Sequence, residues 1–200
     1  ITGGASGIGR LMARKLAQLG GRISVWDIDR EKLDKVVAEL ASGPEPARGF
    51  RCDVSKREDV YRVAAETTAA AGAVDILINN AGVVSGRNFL ELPDAQIEAT
   101  FAVNTLSLFW VTKALLPQMI ERRSGKILVM GSASALRGMK RASSYSAARG
   151  AQLAYVQAVG VEVAPHNVQV NAIAQNFVDN PTYFPAEVQA NPRFQERLKR

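Results

Sequence analysis

The chain has 200 residues and a mass of 21.5 kDa, which suits one domain burying about 70% of its unfolded surface. Hydrophobic residues at 47% and charged residues at 22% exclude a disordered tail or fibrous repeat, and one cysteine and one histidine exclude a disulfide framework and a Cys- or His-rich metal cluster. The net charge of +6 is dispersed, and its densest groups (Arg122-Arg123, Lys140-Arg141, Arg197 to Arg200) sit in no nucleic-acid motif, so no nucleic-acid partner is expected.

A glycine-rich turn, Gly3–Gly9, leads into a helical pattern over Ile8–Leu19 that Gly20-Gly21 stops. Arg22–Trp26 reads as a short buried strand ending on Asp27. A helix over Arg30–Leu40 stops at Ser42-Gly43-Pro44, and a strand over Arg48–Cys52 ends on Asp53. Ser55 is the expected N-cap of a helix over Lys56–Ala71, with Glu58 as its capping-box partner. Val74–Asn79 has the continuous apolar character of a fully buried strand. Asp94–Arg123 is expected to form one long helix, kinked by Pro117. Lys126–Gly131 is another strand, Ser144–Ala164 a helix and Val168–Ile173 the last strand. This alternation predicts an α/β fold: a doubly wound parallel sheet with right-handed crossovers, in one domain over 1–200. No apolar run reaches the roughly 18 residues of a membrane span, since Leu106–Leu116 is broken by Lys113. With no signal-peptide pattern, a cytoplasmic location is expected and no membrane partner within this segment. The glycine-rich turn is preceded only by Ile1, and the chain ends just after a helix-like segment, so both ends are expected to be trimmed.

Thr2–Gly9 places glycines at 3, 7 and 9, with a helix starting inside the motif. Gly3 allows the tight turn, and the missing side chain at Gly7 lets backbone amides approach a pyrophosphate. Gly9 permits close helix–strand packing, and the helix N-terminus adds partial positive charge. Asp27, 24 residues after Gly3, ends the next strand, where a carboxylate accepts hydrogen bonds from an adenosine ribose and repels a 2′-phosphate. Asp27 therefore favours NAD(H), although Arg30 nearby leaves NADP(H) possible.

Taken with Asn79-Asn80-Ala81-Gly82, Asn104, Ser132 and Tyr145 (13 residues after Ser132), the motif resembles the short-chain dehydrogenase/reductase family. The likeness covers essentially the whole chain. Stretches such as Asn79–Gly86 and Phe109–Pro117 are similar to its retinol and 17β-hydroxysteroid dehydrogenase branch. The resemblance implies a Rossmann fold, a nicotinamide cofactor, and a dimer or tetramer. It assigns Gly3, Ser6, Gly7, Ile8, Gly9 and Asp27 to cofactor binding, Asp53-Val54 to the adenine, and Asn80, Ala81 and Gly82 to the cofactor ribose. It implies hydride transfer between an alcohol and a ketone or aldehyde, with Ser132, Tyr145, Asn104 and the residue four after Tyr145 as the catalytic set.

The chemistry of that set has its own logic. A tyrosine hydroxyl is ordinarily a weak base, and three units of acidification need roughly 4 kcal/mol of phenolate stabilisation. A cation at i+4, one helical turn away, supplies it. Ser132 would hold the substrate oxygen while Tyr145 exchanges its proton, with Asn104 supporting a water in the proton path. The family has Lys at i+4; this chain has Arg149, which keeps the charge and can bond ribose hydroxyls but cannot release a proton near neutral pH.

A second departure is Ala174-Gln175-Asn176-Phe177 in place of the family's Pro-Gly after the last strand. A Ser–Tyr–Arg set with this sequence, with Pro181-Thr182-Tyr183-Phe184-Pro185 and Asn191-Pro192, is similar to the halohydrin dehalogenases. Those enzymes share the fold, close epoxides, and bind halide where nicotinamide would sit. Their glycine turn is remodelled; here it is intact, so an oxidoreductase is the primary expectation. A dehalogenase-like lyase and a dinucleotide-binding member with little activity are the alternatives. The aromatic and proline-rich segment 176–200 is a candidate substrate lid, with packing on another subunit as its competing reading. Cys52 reads as a small buried apolar side chain and His166 as a surface turn residue.

Overall fold

A computed structural model of the chain describes all residues except Ser42, Pro44, Ser85, 179–183 and 199–200. Thus Ser42 and Pro44 of the expected helix stop, and Pro181-Thr182-Tyr183, lie outside the described residues. In chain order the elements are α1 (Gly7–Gln18), β1 (Ser24–Asp27), α2 (Arg30–Glu39), β2 (Arg48–Arg51), α3 (Arg57–Ala71) and β3 (Ile76–Asn79). There follow α4 (Asp94–Phe101), α5 (Ser107–Glu121), β4 (Gly125–Met130), α6 (Ser143–Val163), β5 (Val168–Ile173), α7 (Ala186–Gln189) and α8 (Pro192–Leu198).

All ladders are parallel. β1 pairs with β2 from Ser24↔Arg48 to Asp27↔Arg51, and β4 lies between β3 and β5 in the second group. Ile1 and Thr2 join the two groups: Trp26 N donates to Ile1 O at 2.9 Å, and Thr2 N donates to Ile78 O at 3.0 Å. The first glycine turn thus springs from the middle of the sheet.

Strand alternation builds core on both faces of the sheet. Trp26 faces a cluster with Val60 and Val63 of α3, Val111, Leu115 and Met119 of α5, and Leu77 and Ile127. Its neighbour Val25 points the other way, into Ala13 and Ala17 of α1 and Leu33 and Val36 of α2. Each fully buried Val or Leu contributes about 1.5–3 kcal/mol by leaving water. Cys52 is 2% exposed in the first cluster, as its sequence context implied, and burial pushes its thiol up to about 12.

Four expectations change. Ser55 is not the N-cap of α3. Lys56 takes that position without a side-chain cap, because the Asp53 carboxylate captures Ser55 N at 3.0 Å and Ser55 Oγ at 2.6 Å. Glu58 pairs with Arg57 at 2.9 Å instead of closing a capping box. β3 starts at Ile76, not Val74, since Val74 N donates to the Gln118 side chain at 2.9 Å. Asp94–Arg123 is not one uniform α-helix: the helical stretch ends at Glu121, runs through Pro117, and contains a π-helical turn over Ala102–Leu106. This stretch is 28 residues long and holds an 18-residue window of mean hydropathy 1.3, enough by length and composition to cross a membrane, beyond what the Leu106–Leu116 run alone suggested. In the fold its apolar residues Leu108, Val111, Leu115 and Met119 bury against the sheet and α3.

Candidate active site

The glycine turn takes its shape from backbone geometry. Gly3 and Gly7 have φ of +60° and +51°, in the left-handed region where a side chain is strained. A Cβ on Gly9 would lie 2.2 Å from Gly3 O and 2.5 Å from Asn80 Nδ2, so only glycine fits where α1 leaves the turn. The Asn80 amide fastens the same turn from β3, donating to Thr2 O at 3.0 Å and Gly3 O at 2.9 Å. Thr2 Oγ1 accepts Asn80 N and Ala81 N at 3.0 and 3.1 Å. Ser6 is the extended N-cap residue of α1, its side chain making no cap bond, and Ile8 is half-buried. The first turn of α1 carries no acidic residue, so its positive end remains available to an anion.

Asp27 is half-buried beside this turn. Its Oδ2 accepts Ala5 N at 2.9 Å and its Oδ1 accepts Asp29 N at 3.1 Å, leaving further lone pairs on the carboxylate. Arg30 faces Asp34 at 3.0 Å, and Lys32 faces Asp29 at 2.7 Å. Asp53 spends its carboxylate on Ser55, as above, and Val54 is buried in the main core.

The catalytic candidates collect at the carboxyl ends of β3 and β4. Ser132 is 9% exposed just after β4; its Oγ accepts from Ser134 N at 3.2 Å and Ser134 Oγ at 3.0 Å, so its own proton can be offered outward. Tyr145, half-buried, and Arg149, buried, occupy α6 one turn apart, with the guanidinium carbon 4.9 Å from the tyrosine ring centroid. This is cation–π geometry. Arg149 Nη1 donates to Met130 O at 2.7 Å and to Gln152 Oε1 at 3.0 Å. Among the described residues its buried Nε has no hydrogen-bond partner. A Cβ on Gly82 would come within 2.5 Å of Arg149 Nη2 and 2.9 Å of Asn104 Oδ1, so this glycine admits both side chains.

Asn104, fully buried on the π-helical turn, spends its side chain on the loop after β3: Nδ2 donates to Val83 O at 2.9 Å and Oδ1 accepts Val83 N at 3.0 Å. Its main-chain carbonyl accepts Gln152 Nε2 at 2.5 Å. Sequence reasoning missed Gln152; the available signal was a polar side chain three residues after Arg149, on the same helix face.

In the loops after β3 and β4, Val83, Val84, Leu136 and Met139 are 42%, 53%, 72% and 41% exposed. Arg141 Nη2 ties the two loops that carry them by donating to Gly86 O at 2.9 Å. Beyond β5, Phe177, Phe184 and Phe194 pack together, with ring centroids 5.1 to 5.8 Å apart.

A family model described as short chain dehydrogenase matches residues 1–191. The chain is 41% identical over 164 residues to epidermal retinol dehydrogenase 2 of Mus musculus, a match covering 81% of this chain and 53% of that protein. It is 35% identical to 2,3-dihydro-2,3-dihydroxybenzoate dehydrogenase of Bacillus subtilis (strain 168), covering 87% and 67%. NAD+-bound xylitol dehydrogenase superposes with a TM-score of 0.85 at 30% identity, covering 88% of this chain and 68% of that one. The chain spans about half the length of the mouse retinol dehydrogenase.

Proposed function

Since the chain belongs to the short-chain dehydrogenase family, we propose that it is an oxidoreductase using a nicotinamide dinucleotide to interconvert an alcohol and its ketone or aldehyde. The observation that carries this reading is the Arg149 guanidinium 4.9 Å from the Tyr145 ring centroid, on an intact glycine cradle. The residues fit a dinucleotide: glycines 3 and 9 let the turn close tightly on the backbone of Ala81 and of Gly3 itself, the first turn of α1 carries no acidic residue, and Asp27 ends the neighbouring strand. Gly3, Ser6, Gly7, Ile8 and Gly9 would hold its pyrophosphate, Asp27 and Asn80–Gly82 its riboses, and Asp53-Val54 would border its adenine. When bound, the dinucleotide supplies the carrier for the hydride.

The chain's own residues handle the proton. Ser132 donates to the substrate oxygen, and Tyr145 takes the alcohol's proton or returns it to the carbonyl. Arg149 contributes fixed positive charge against Tyr145 and does not itself deprotonate. Asp27 and the pairing of Arg30 with Asp34 favour NAD(H), since a 2′-phosphate would meet a carboxylate and an already engaged cation. The exposed Val83, Val84, Leu136 and Met139 suit a largely apolar substrate, consistent with the retinol named in the mouse relative. Leu106, Phe109 and Val161, 44%, 50% and 77% exposed on the α5 and α6 region, support a homodimer or homotetramer; analytical ultracentrifugation reads that state directly.

The test is thermal melting with NAD+, NADP+ or bromide, each against buffer of matched ionic strength. A ligand at about 100 times its Kd adds roughly 2.7 kcal/mol, and NAD+ should raise Tm by several degrees. A rise with bromide and none with either dinucleotide would replace the oxidoreductase by a dehalogenase-like lyase. Tyr145→Phe should abolish turnover and leave the NAD+ shift in place; retained turnover would remove Tyr145 from the mechanism.

A further inference from the structure

We propose that Gln152 is a positioning residue of this site, holding the Arg149 guanidinium on Tyr145 while its amide occupies the Asn104 carbonyl. The inference rests on the oxidoreductase reading for what Tyr145 does, and on the hydrogen bonds of the Gln152 amide for what Gln152 holds. Gln152 is 1% exposed on α6, and both ends of its amide are used. Oε1 accepts Arg149 Nη1 at 3.0 Å and Nε2 donates to Asn104 O at 2.5 Å. A buried guanidinium needs acceptors, and Met130 O satisfies Nη1 from one side only. Gln152 provides the second acceptor, and its direction keeps the guanidinium plane turned to the tyrosine ring.

The same amide joins four segments in one buried relay of hydrogen bonds. The relay runs from the Val83 loop through Asn104 on the π-helical turn, across Gln152 to Arg149, and on to Met130 at the end of β4. Leu or Met at this position would take the side-chain donor away from the Asn104 carbonyl and free the guanidinium to rotate. A lysine at 149 would behave differently, because its ammonium lies one bond nearer the backbone than Nη1, the nitrogen that meets both Met130 O and Gln152 Oε1, and it has no plane to be held against the ring. Gln152 is therefore needed by an arginine at 149 and far less by a lysine.

The experiment uses the whole chain labelled with 13C in its tyrosine rings. The four tyrosines give separable ring signals, and Tyr145 is assigned by its loss in Tyr145→Phe. Gln152→Met, or Gln152→Leu should the first fail to fold, should move the Tyr145 signal and leave Tyr61 in place. Gln152→Glu keeps an acceptor for Arg149 and should retain the Tyr145 position. An unmoved Tyr145 signal in the apolar variant, or one displaced together with Tyr61, overturns the proposal.

Kinetics provide the second readout. Gln152→Met should lower kcat about tenfold with the dinucleotide KM within about twofold, the pattern of a group that acts on the chemical step. In an Arg149→Lys background the same substitution should change kcat by less than about twofold. Equal losses in both backgrounds would make Gln152 a general structural residue and defeat the proposal. Failure of every dinucleotide to raise Tm, with the Tyr145 signal still responding to Gln152, would defeat the oxidoreductase reading and leave the positioning role standing.

Discussion

Gly9 has no room for even one more carbon. A Cβ there would meet the Gly3 carbonyl oxygen at 2.2 Å, and that oxygen is backbone, fastened by Asn80. Gly9→Ala should cost about 1–3 kcal/mol in urea unfolding and remove the NAD+-induced Tm shift; wild-type stability with an unchanged shift would contradict this packing. Cys52 is governed by burial in another way. Its folded thiol keeps its proton up to about pH 12, while an unfolded thiol gives it up near 9.0. The folded chain therefore binds more protons in that window, so this contribution to stability is whole below pH 9 and is lost as pH rises toward 12. Tyr155, pushed by burial from 10.0 to about 12, acts with the same sign. Urea unfolding from pH 8 to 11 should show a falling free energy, and iodoacetamide should label Cys52 only once the chain unfolds. The glycine positions were legible because their spacing encodes the turn. The second duty of Asp27 and the bond from Gln152 to the Asn104 carbonyl were not, because each depends on a partner 22 or more residues away that spacing does not reveal.

At the level of elements, the strands and the helices up to α6 followed from apolar periodicity with shifts of one or two residues at their ends, while the short α7 and α8 did not. What periodicity could not show was the π-helical turn at Ala102–Leu106, since nothing in Ala102-Val103-Asn104-Thr105-Leu106 breaks a helix locally. The Asn104 side chain there bonds both main-chain groups of Val83, a tertiary pairing. Asn104→Ala should release the Val83 loop, seen as faster amide hydrogen exchange at Val83; unchanged protection would show that the loop is held by something else. Local competition likewise decided the start of α3, where the Asp53 carboxylate took Ser55 before Ser55 could cap the helix. The candidate lid has a small core of its own, Phe177, Phe184 and Phe194. Phe194→Ala should increase limited proteolysis between residues 184 and 198 while leaving Tm nearly constant, and resistance equal to wild type would remove the cluster from that role.

Across the whole molecule, the α/β architecture was legible because strand and helix periods alternate along the chain, and a parallel sheet needs helices as crossovers. The two parallel groups meet at Ile1 and Thr2, and the Asn80 clamp crosses to the glycine turn there. The glycine turn and the candidate catalytic cluster are thus neighbours by topology: Asn80 serves the first and Gly82, two residues on, makes room for Arg149 and Asn104 in the second. The sequence motif Asn79–Gly82 showed the residues but not this division of labour, which follows from where β3 lies between Thr2 and β4.

The carboxylate that would select the cofactor also stitches the turn that would cradle it, through the bond from Ala5 N to Asp27 Oδ2 at 2.9 Å. Selectivity and scaffold therefore cannot be retuned separately at this position. An engineer who exchanges Asp27 for a neutral residue without an acceptor oxygen, to welcome a 2′-phosphate, would also unfasten the turn at Ala5, and weaker binding of both dinucleotides is the expected result. The more promising place to start is the Arg30–Asp34 pair, where freeing a cation leaves the stitch untouched.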